Sequence, residues 1–90
     1  MDGFEWDPAK AARNLKKHGV AFADAAVSLS DPQAVTIADP DAVGEERFVT
    51  LAMAPAGQVL ITVYCYVETR IRIISSRKAS PSERRSYEEG

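Results

Sequence analysis

The spacing of hydrophobic residues along this 90-residue chain changes at Pro32, where helical periodicity gives way to strand-like alternation. A first helix is predicted over residues 8–18. Asp7 is a good N-cap residue, Pro8 suits the first helical position, and Gly19 follows a basic last turn. The apolar side of this helix is predicted to be narrow and to consist of Ala11 or Ala12, Leu15 and His18. Two aromatic residues ahead of the cap are predicted to anchor its start in the core, namely Phe4 and Trp6.

The remaining pattern predicts one more helix before Pro32 and a sheet after it. Apolar residues at helical spacing predict a second helix over residues 21–29, which Asp31–Pro32 ends. β-branched runs separated by turn residues then predict four antiparallel strands, over Ala34–Ala38, Arg47–Ala54, Val59–Tyr66 and Arg70–Arg77. Ser80-Pro81-Ser82-Glu83 is a capping box that opens a last helix from 81 to about 88. The predicted fold is therefore one α+β domain over residues 1–90, with two N-terminal helices, a four-stranded antiparallel sheet and one C-terminal helix.

The hairpin formed by the last two predicted strands alternates between apolar and chemically active side chains. Its apolar positions are predicted to pack under the helices, and they are Val59, Ile61, Val63, Ile71 and Ile73. With a three-residue loop over residues 67–69, Tyr66 lies opposite Arg70 and Tyr64 lies opposite Arg72 on the other face. A loop that is one residue shorter or longer breaks these pairs.

The composition fits a packed domain, since 46% of the residues are hydrophobic and 27% are charged. Cys65 is the only cysteine and cannot form an internal disulfide. No apolar run approaches the roughly 20 residues that cross a bilayer, and Met1–Trp6 lacks the regions of a signal peptide. These features predict a cytoplasmic protein.

The net charge of −2 hides a segregated charge pattern. Residues 7–18 and 70–85 are rich in Lys and Arg, whereas residues 19–46 contain acidic residues and no Lys or Arg. Two basic segments that fold together would form one positive surface for a polyanion such as RNA. The alternative interpretation is that these segments are solvated helix faces.

Several short segments, in the same order along the chain, resemble BrnT toxins. They are Phe4-Glu5-Trp6-Asp7-Pro8-Ala9-Lys10, Asn14-Leu15-Lys16-Lys17-His18-Gly19-Val20, Asp31-Pro32, Glu45-Glu46-Arg47-Phe48, Ile71-Arg72-Ile73-Ile74-Ser75-Ser76-Arg77-Lys78-Ala79 and Glu83-Arg84-Arg85-Ser86-Tyr87-Glu88. The resemblance implies a RelE-like fold, a ribonuclease activity that halts translation, and a cognate BrnA-like antitoxin. It also implies that toxin and antitoxin form a hetero-oligomer, which represses their operon and reaches operator DNA only through the antitoxin. The chain departs from the family at Cys65-Tyr66-Val67-Glu68, where a commonly basic hairpin tip is apolar.

RNA carries its own nucleophile, because its 2′-hydroxyl can attack the adjacent phosphorus. A protein that cleaves RNA therefore has to align the chain, move protons and stabilise the developing charge. The candidate catalytic residues are Arg72, Arg77, Tyr64, His18 and Glu46, and Lys17 is a further candidate for proton transfer. The candidate RNA-binding residues are Lys16, Lys17, Arg70, Tyr66 and Lys78. Side chains five residues apart on a regular strand point to opposite faces, so Arg72 and Arg77 share a site only if the strand bends or bulges near Ser75–Ser76.

Each candidate also has a plain structural explanation. His18 and the lysines before it favour a helix C-terminus, Tyr64 suits a core strand, and Arg72 between two isoleucines can be solvated. One Cys and one His without metal-ligand spacing predict neither a metal site nor a cofactor. The competing functional hypotheses are an inactive toxin-like module of a repressor complex and a small ribosome-associated structural protein.

Overall fold

The computed structural model describes residues 3–90, so Met1 and Asp2, part of the segment tested above for a signal peptide, lie outside the described residues. The elements follow the chain as β1 (Phe4–Glu5), α1 (Pro8–His18), α2 (Phe22–Ser28), β2 (Val35–Ala38), β3 (Phe48–Met53), β4 (Val59–Val67), β5 (Arg70–Lys78) and α3 (Pro81–Glu89). The predicted α+β class is confirmed, and so are the three helices and the four predicted strands.

Local capping interactions fix the helix ends where the sequence predicts them. The Asp7 carboxylate accepts a hydrogen bond from the backbone N–H of Ala9 at 2.8 Å, and Gly19 ends α1 with a left-handed φ of 71°. At α3, Ser80 and Glu83 form the complete capping box. The second helix is one residue shorter at each end than the predicted 21–29, since Ala21 and Leu29 are its capping residues, and Ala21 has no side chain that could accept a capping hydrogen bond.

The sheet contains a fifth strand that the pattern did not predict. Its order is β1-β5-β4-β3-β2, with three antiparallel pairs and a parallel pairing of β1 with β5. In this pairing Phe4 lies opposite Ile71 and Glu5 opposite Arg72. A two-residue strand is too short to show alternation, which explains why the sequence pattern missed it.

One face of the sheet packs against α1 and α2. Leu60 and Ile73 from the sheet form the core with Phe22, and Trp6 lies edge-on to Phe22 with ring centroids 6.0 Å apart. The anchoring role predicted for Phe4 and Trp6 is confirmed, since both pack against this core. The predicted apolar stripe of α1 is wrong at Leu15, which is 51% exposed, while the polar Asn14 is buried in its place.

The predicted register of the β4–β5 hairpin is wrong. The turn contains only Glu68 and Thr69, and Glu68 adopts a positive φ of 57°. As a result Tyr66 lies opposite Ile71 and Tyr64 opposite Ile73, rather than opposite arginines. A one-residue change in a hairpin loop moves every pair along it.

A β-bulge in β5 then changes which side chains share a face. Tyr64 pairs with Ile73, but the preceding Val63 pairs with Ser75, so Ile74 is an extra residue. The predicted apolar face is therefore split. Ile71 and Ile73 pack under α1 and α2 with the even-numbered residues of β4. The other three predicted positions, namely Val59, Ile61 and Val63, lie on the opposite face.

That opposite face carries α3. Arg77 on this face pairs with Glu83 of α3, and Tyr87 lies beside Val35 in a shallow depression. The Tyr87 hydroxyl donates to Asp31, whose carboxylate also accepts from the backbone N–H of Met53 at 2.9 Å. Asp31 thus joins the end of α2, β3 and α3. Among the described residues, none of the helices has the length and apolar character needed to span a bilayer.

Candidate functional site

The arginines of β5 line the α3 side of the sheet. Arg70, Arg72 and Arg77 lie opposite Val67, Cys65 and Ile61, which are all odd-numbered positions of β4 and therefore share one face. Arg72 and Arg77 reach the same face only because the extra residue Ile74 shifts the alternation between them. The bulge that the sequence required near Ser75–Ser76 is thus present one residue earlier.

Arg70 and Arg72 converge on the carboxylate of Glu5. Glu5 Oε2 lies 2.9 Å from Nε and 2.8 Å from Nη2 of Arg72, and Oε1 lies 3.2 Å from Nε of Arg70. Arg70 also donates from Nη2 to the Phe4 carbonyl at 2.9 Å. The hydrogen bond to Glu5 raises the pKa of Arg72 further above its ordinary value. Both arginine side chains are about half exposed, at 49% for Arg70 and 48% for Arg72, so they are oriented by Glu5 and still open to solvent.

A polar depression adjoins this ion-paired cluster. It has a volume of about 510 Å³, and its lining consists of Glu5, Trp6, Asp7, Pro8, Lys10 and Arg72. It connects the start of α1 with the arginines of β5. The depression brings a lysine from the first basic segment next to an arginine from the second.

Arg77 is held by a different carboxylate. Its Nη1 and Nη2 donate to the two oxygens of Glu83 at 2.9 and 3.0 Å, which is a bidentate pair. The hydrogen bonds from Arg77, followed by that from the Ser80 backbone, lower the pKa of Glu83 from 4.5 to about 2. Arg77 therefore anchors α3 to β5, whereas Arg72 is anchored to β1.

Tyr64 and Tyr66 lie on the opposite face from the arginines. The Tyr64 ring is buried against Phe48, with centroids 5.9 Å apart, and its hydroxyl lies 2.9 Å from the hydroxyl of Thr50. Tyr66 is 57% exposed and lies edge-on to Phe48. The structure thus does not bring the two tyrosines and the arginines together on one surface.

The other predicted site residues lie outside the arginine cluster. Lys16 and Lys17 are exposed on the last turn of α1, and His18 is half-buried at its end. Lys78 ends β5 on the α1 and α2 face. Glu46 is exposed in the loop before β3 and makes no hydrogen bond or ion pair with any residue of the described chain.

Two residues important to this site were not predicted from the sequence. Glu5 does not stand out in the sequence pattern because it lies in a strand of only two residues. Asn14 has no special place in the helix pattern, yet its side-chain amide donates to the carbonyls of Val20 at 3.0 Å and Ser76 at 2.8 Å and accepts from the Ser76 N–H at 3.1 Å. A polar residue on the inner side of a helix is the signal that would have identified it.

Cys65 is a buried neighbour of the arginines. It is buried opposite Arg72, and burial is the main cause that raises the pKa of its thiol. Within residues 3–90, no three His, Cys, Asp or Glu side chains lie close enough together to hold a metal ion.

Comparison with solved structures identifies the class of protein to which this fold belongs. The fold is similar to that of the Brucella abortus ribonuclease toxin BrnT, a crystal structure at 1.1 Å resolution, with a TM-score of 0.64 and 25% sequence identity. The match covers 86% of this chain and 95% of that chain, so the class is that of small α+β toxin domains. The family described as "Ribonuclease toxin, BrnT, of type II toxin-antitoxin system" matches residues 6–83. The chain belongs to the BrnT family, which confirms the resemblance seen in the sequence. Comparison with curated protein sequences gave no significant match.

Proposed function

We propose that this protein is the metal-independent endoribonuclease toxin of a type II toxin–antitoxin pair, and that it inhibits translation by cleaving RNA. The observation that carries the proposal is the pair of guanidiniums on β5, Arg70 and Arg72, which are oriented by one carboxylate and remain open to solvent. Such a pair suits phosphodiester binding, because a guanidinium matches phosphate oxygens with paired N–H donors. Membership in a family of ribonuclease toxins supports the same reading.

In the proposed reaction, the 2′-hydroxyl of RNA attacks the adjacent phosphorus and the 5′-oxygen leaves. Arg72 stabilises the negative charge that develops on the phosphorus oxygens, since an oriented cation binds the transition state more strongly than the ground state. Arg77, Tyr64, His18 and Glu46 remain proposed catalytic residues. The proposed RNA contacts outside the reacting phosphate are Lys16, Lys17, Arg70, Tyr66 and Lys78.

This chemistry needs neither a metal nor a cofactor. The nucleophile belongs to the RNA, and guanidinium and ammonium groups supply positive charge at the phosphate. No activated water is needed to start the cleavage, so the usual role of a bound metal in hydrolysis does not arise.

The proposed partners follow from the type II family to which the chain belongs. A cognate BrnA-like antitoxin binds the toxin as a hetero-oligomer, neutralises it and connects it to operator DNA. The proposed location is the cytoplasm, where both RNA and the antitoxin are found.

The proposal is tested by RNA cleavage with purified protein in excess chelator. We expect cleavage to persist and the products to carry a 2′,3′-cyclic or 3′-phosphate and a 5′-hydroxyl, since the 2′-oxygen is the nucleophile. Product ends are identified by mass spectrometry of a short oligoribonucleotide. Cleavage that requires added magnesium would contradict the metal-free mechanism.

A catalytically inactive module of an antitoxin repressor complex is the second candidate. Two observations favour it. The hairpin tip carries Tyr66 and Val67 where the family is more often basic. In addition, Nη1 and Nη2 of Arg77 are both hydrogen-bonded to Glu83. This candidate predicts antitoxin binding and operator repression without any cleavage of RNA.

A further inference from the structure

Glu5 lies where a proton acceptor for RNA cleavage is needed. Its side chain is 29% exposed at the sheet edge and contacts both guanidiniums proposed to bind the phosphate. A carboxylate has about four acceptor positions, and three of them face nitrogens of Arg70 and Arg72. Oε1 therefore keeps one acceptor position for a substrate hydroxyl.

The other proton-transfer candidates lack this position. Tyr64 is buried on the opposite face with its hydroxyl bonded to Thr50. Glu46 makes no hydrogen bond or ion pair within the described residues, and Lys17 and His18 lie at the far end of α1 from Glu5. Glu5 is thus the carboxylate that the fold places against the exposed arginine pair.

We propose that Glu5 is the general base of RNA cleavage and takes the proton of the attacking 2′-hydroxyl while Arg70 and Arg72 bind the phosphate. In this step the O2′–H bond breaks, the proton moves to Glu5 Oε1, the O2′–P bond forms and the P–O5′ bond breaks. The leaving 5′-oxygen takes a proton from water, and Glu5 returns its proton to solvent. The products are a 2′,3′-cyclic phosphate and a 5′-hydroxyl.

The charges of the cluster favour this step. In the free protein, one carboxylate partly neutralises two guanidiniums. When Glu5 becomes neutral by accepting the proton, the full charge of both arginines acts on the phosphorane at the moment it gains negative charge. The arginines then stabilise the transition state more than the bound substrate, which is the condition for catalysis. Lys10, across the depression, adds a third cation to the same region.

Charged and titratable groups face Glu5 from three elements. They are Arg70 and Arg72 of β5, Asp7 and Lys10 at the start of α1, and the thiol of Cys65 on β4. The two arginines make the direct contacts with its carboxylate. A general base accepts a proton only in its deprotonated form, so cleavage by this mechanism should slow in acid.

The inference rests on the ribonuclease activity proposed above, and Glu5→Gln tests it. Glutamine keeps the size of the side chain but cannot accept the proton. We expect single-turnover cleavage of an oligoribonucleotide to slow by about 100-fold or more, which is the usual contribution of a general base. The acidic limb of the rate–pH profile should disappear. Binding of a 2′-O-methyl oligonucleotide, measured by fluorescence anisotropy, should be unchanged or tighter because a negative charge has been removed.

Glu45→Gln is the matched control, because it also removes a carboxylate from an exposed ion pair. In that pair Glu45 Oε1 lies 3.3 Å from Nε of Arg47. The Glu45→Gln protein should cleave at the parental rate. Glu5→Asp retains an acid and should keep the acidic limb at a reduced rate, and thermal melts establish that each variant is folded.

A Glu5→Gln protein that cleaves as fast as its parent overturns the inference but leaves the ribonuclease proposal intact. The inference is also overturned if cleavage and oligonucleotide binding by Glu5→Gln fall together while the pH profile stays that of the parent protein. It is likewise overturned if Glu46→Gln, rather than Glu5→Gln, loses the acidic limb of the rate–pH profile. Absence of cleavage by the parent protein overturns both proposals.

Discussion

At the scale of single residues, the arginines of β5 have different roles although the sequence presents them as one basic segment. Arg77 forms a bidentate ion pair with Glu83 and thereby attaches α3 to the sheet. Arg70 and Arg72 instead share the carboxylate of Glu5 and remain half exposed. An exposed ion pair contributes about 0 to 1 kcal/mol to the free energy of unfolding. Arg72 therefore contributes little to stability, and its proposed role is to bind an anion.

Arg72→Ala should remove most cleavage with little loss of stability. The loss of one oriented donor to the transition state slows a reaction by about 100- to 1,000-fold. Arg72→Lys keeps the charge but loses the paired donors, so a substantial defect indicates bidentate contact and a mild defect indicates charge alone. The neighbouring Ile73→Ala is the reverse control, because truncating a fully buried Ile typically costs about 2 to 5 kcal/mol. Denaturant melts and single-turnover cleavage measure both effects, and parental cleavage by a stable Arg72→Ala protein would exclude Arg72 from the site.

At the scale of secondary-structure elements, the bulge in β5 is the feature that builds the arginine face. Asn14 of α1 holds the backbone N–H and carbonyl of Ser76, two residues beyond the extra residue Ile74. Both groups are buried, so without Asn14 they would lack partners. The helix and the bulge therefore stabilise each other.

Asn14→Leu should be among the most damaging single changes in the protein. Leucine has a similar volume but leaves the Ser76 N–H, the Ser76 carbonyl and the Val20 carbonyl without their side-chain partner. Each unsatisfied buried group costs about 1 to 3 kcal/mol, so a total loss of about 3 kcal/mol or more is expected in chemical denaturation. The exposed Lys17→Leu on the same helix should change stability by less than about 0.5 kcal/mol. Equal stability of the two variants would show that Asn14 does not hold the bulge.

The attachment of α3 should depend on pH through Glu83. Its pKa in the folded protein, about 2, lies below the ordinary 4.5. The stabilisation is therefore complete above pH 4.5 and is lost as the pH falls towards 2. Glu83→Gln keeps the capping-box geometry but removes the charge, and should lower stability at neutral pH by about 1 kcal/mol, since the side chain is partly exposed. The difference between parent and variant should vanish near pH 2 in thermal melts. Glu88→Gln, which removes an exposed carboxylate of the same helix, is the control and should melt like the parent protein at neutral pH.

At the scale of the whole molecule, the two basic segments meet at one edge of the sheet. α1 packs along β5 through Asn14, and the depression lined by Lys10 and Arg72 joins the two segments. At this edge three cations, Arg70, Arg72 and Lys10, outnumber the carboxylates of Glu5 and Asp7, so a protein of net charge −2 can still present a positive edge to RNA.

Expression of this protein alone should arrest bacterial growth, and coexpression of its antitoxin should restore it. A free ribonuclease depletes RNA, whereas a bound one does not. The Arg72→Ala protein, expressed to the same soluble level, should not arrest growth. Growth curves with immunoblots for protein level measure this. Unimpaired growth at confirmed soluble expression of the parent protein would favour the inactive binding module.

The sequence by itself determined the helices, the four longer strands and the family. Capping residues such as Asp7, Gly19 and Ser80 act on backbone groups within a few positions, so their effect is visible in the local sequence. Strand alternation is likewise local, and it located β2 to β5 to within a residue or two.

Only the tertiary structure decided which side chains share a face and which carboxylate holds which arginine. A strand has a side-chain period of two, so a two-residue turn in place of three and one extra residue at Ile74 reversed the predicted partners of Tyr64 and Tyr66. The pairing of Glu5 with Arg72 spans 67 positions of sequence and depends on a strand of two residues. Local propensities carry no information about such a contact, because it exists only after the chain has folded and β1 has joined the edge of the sheet.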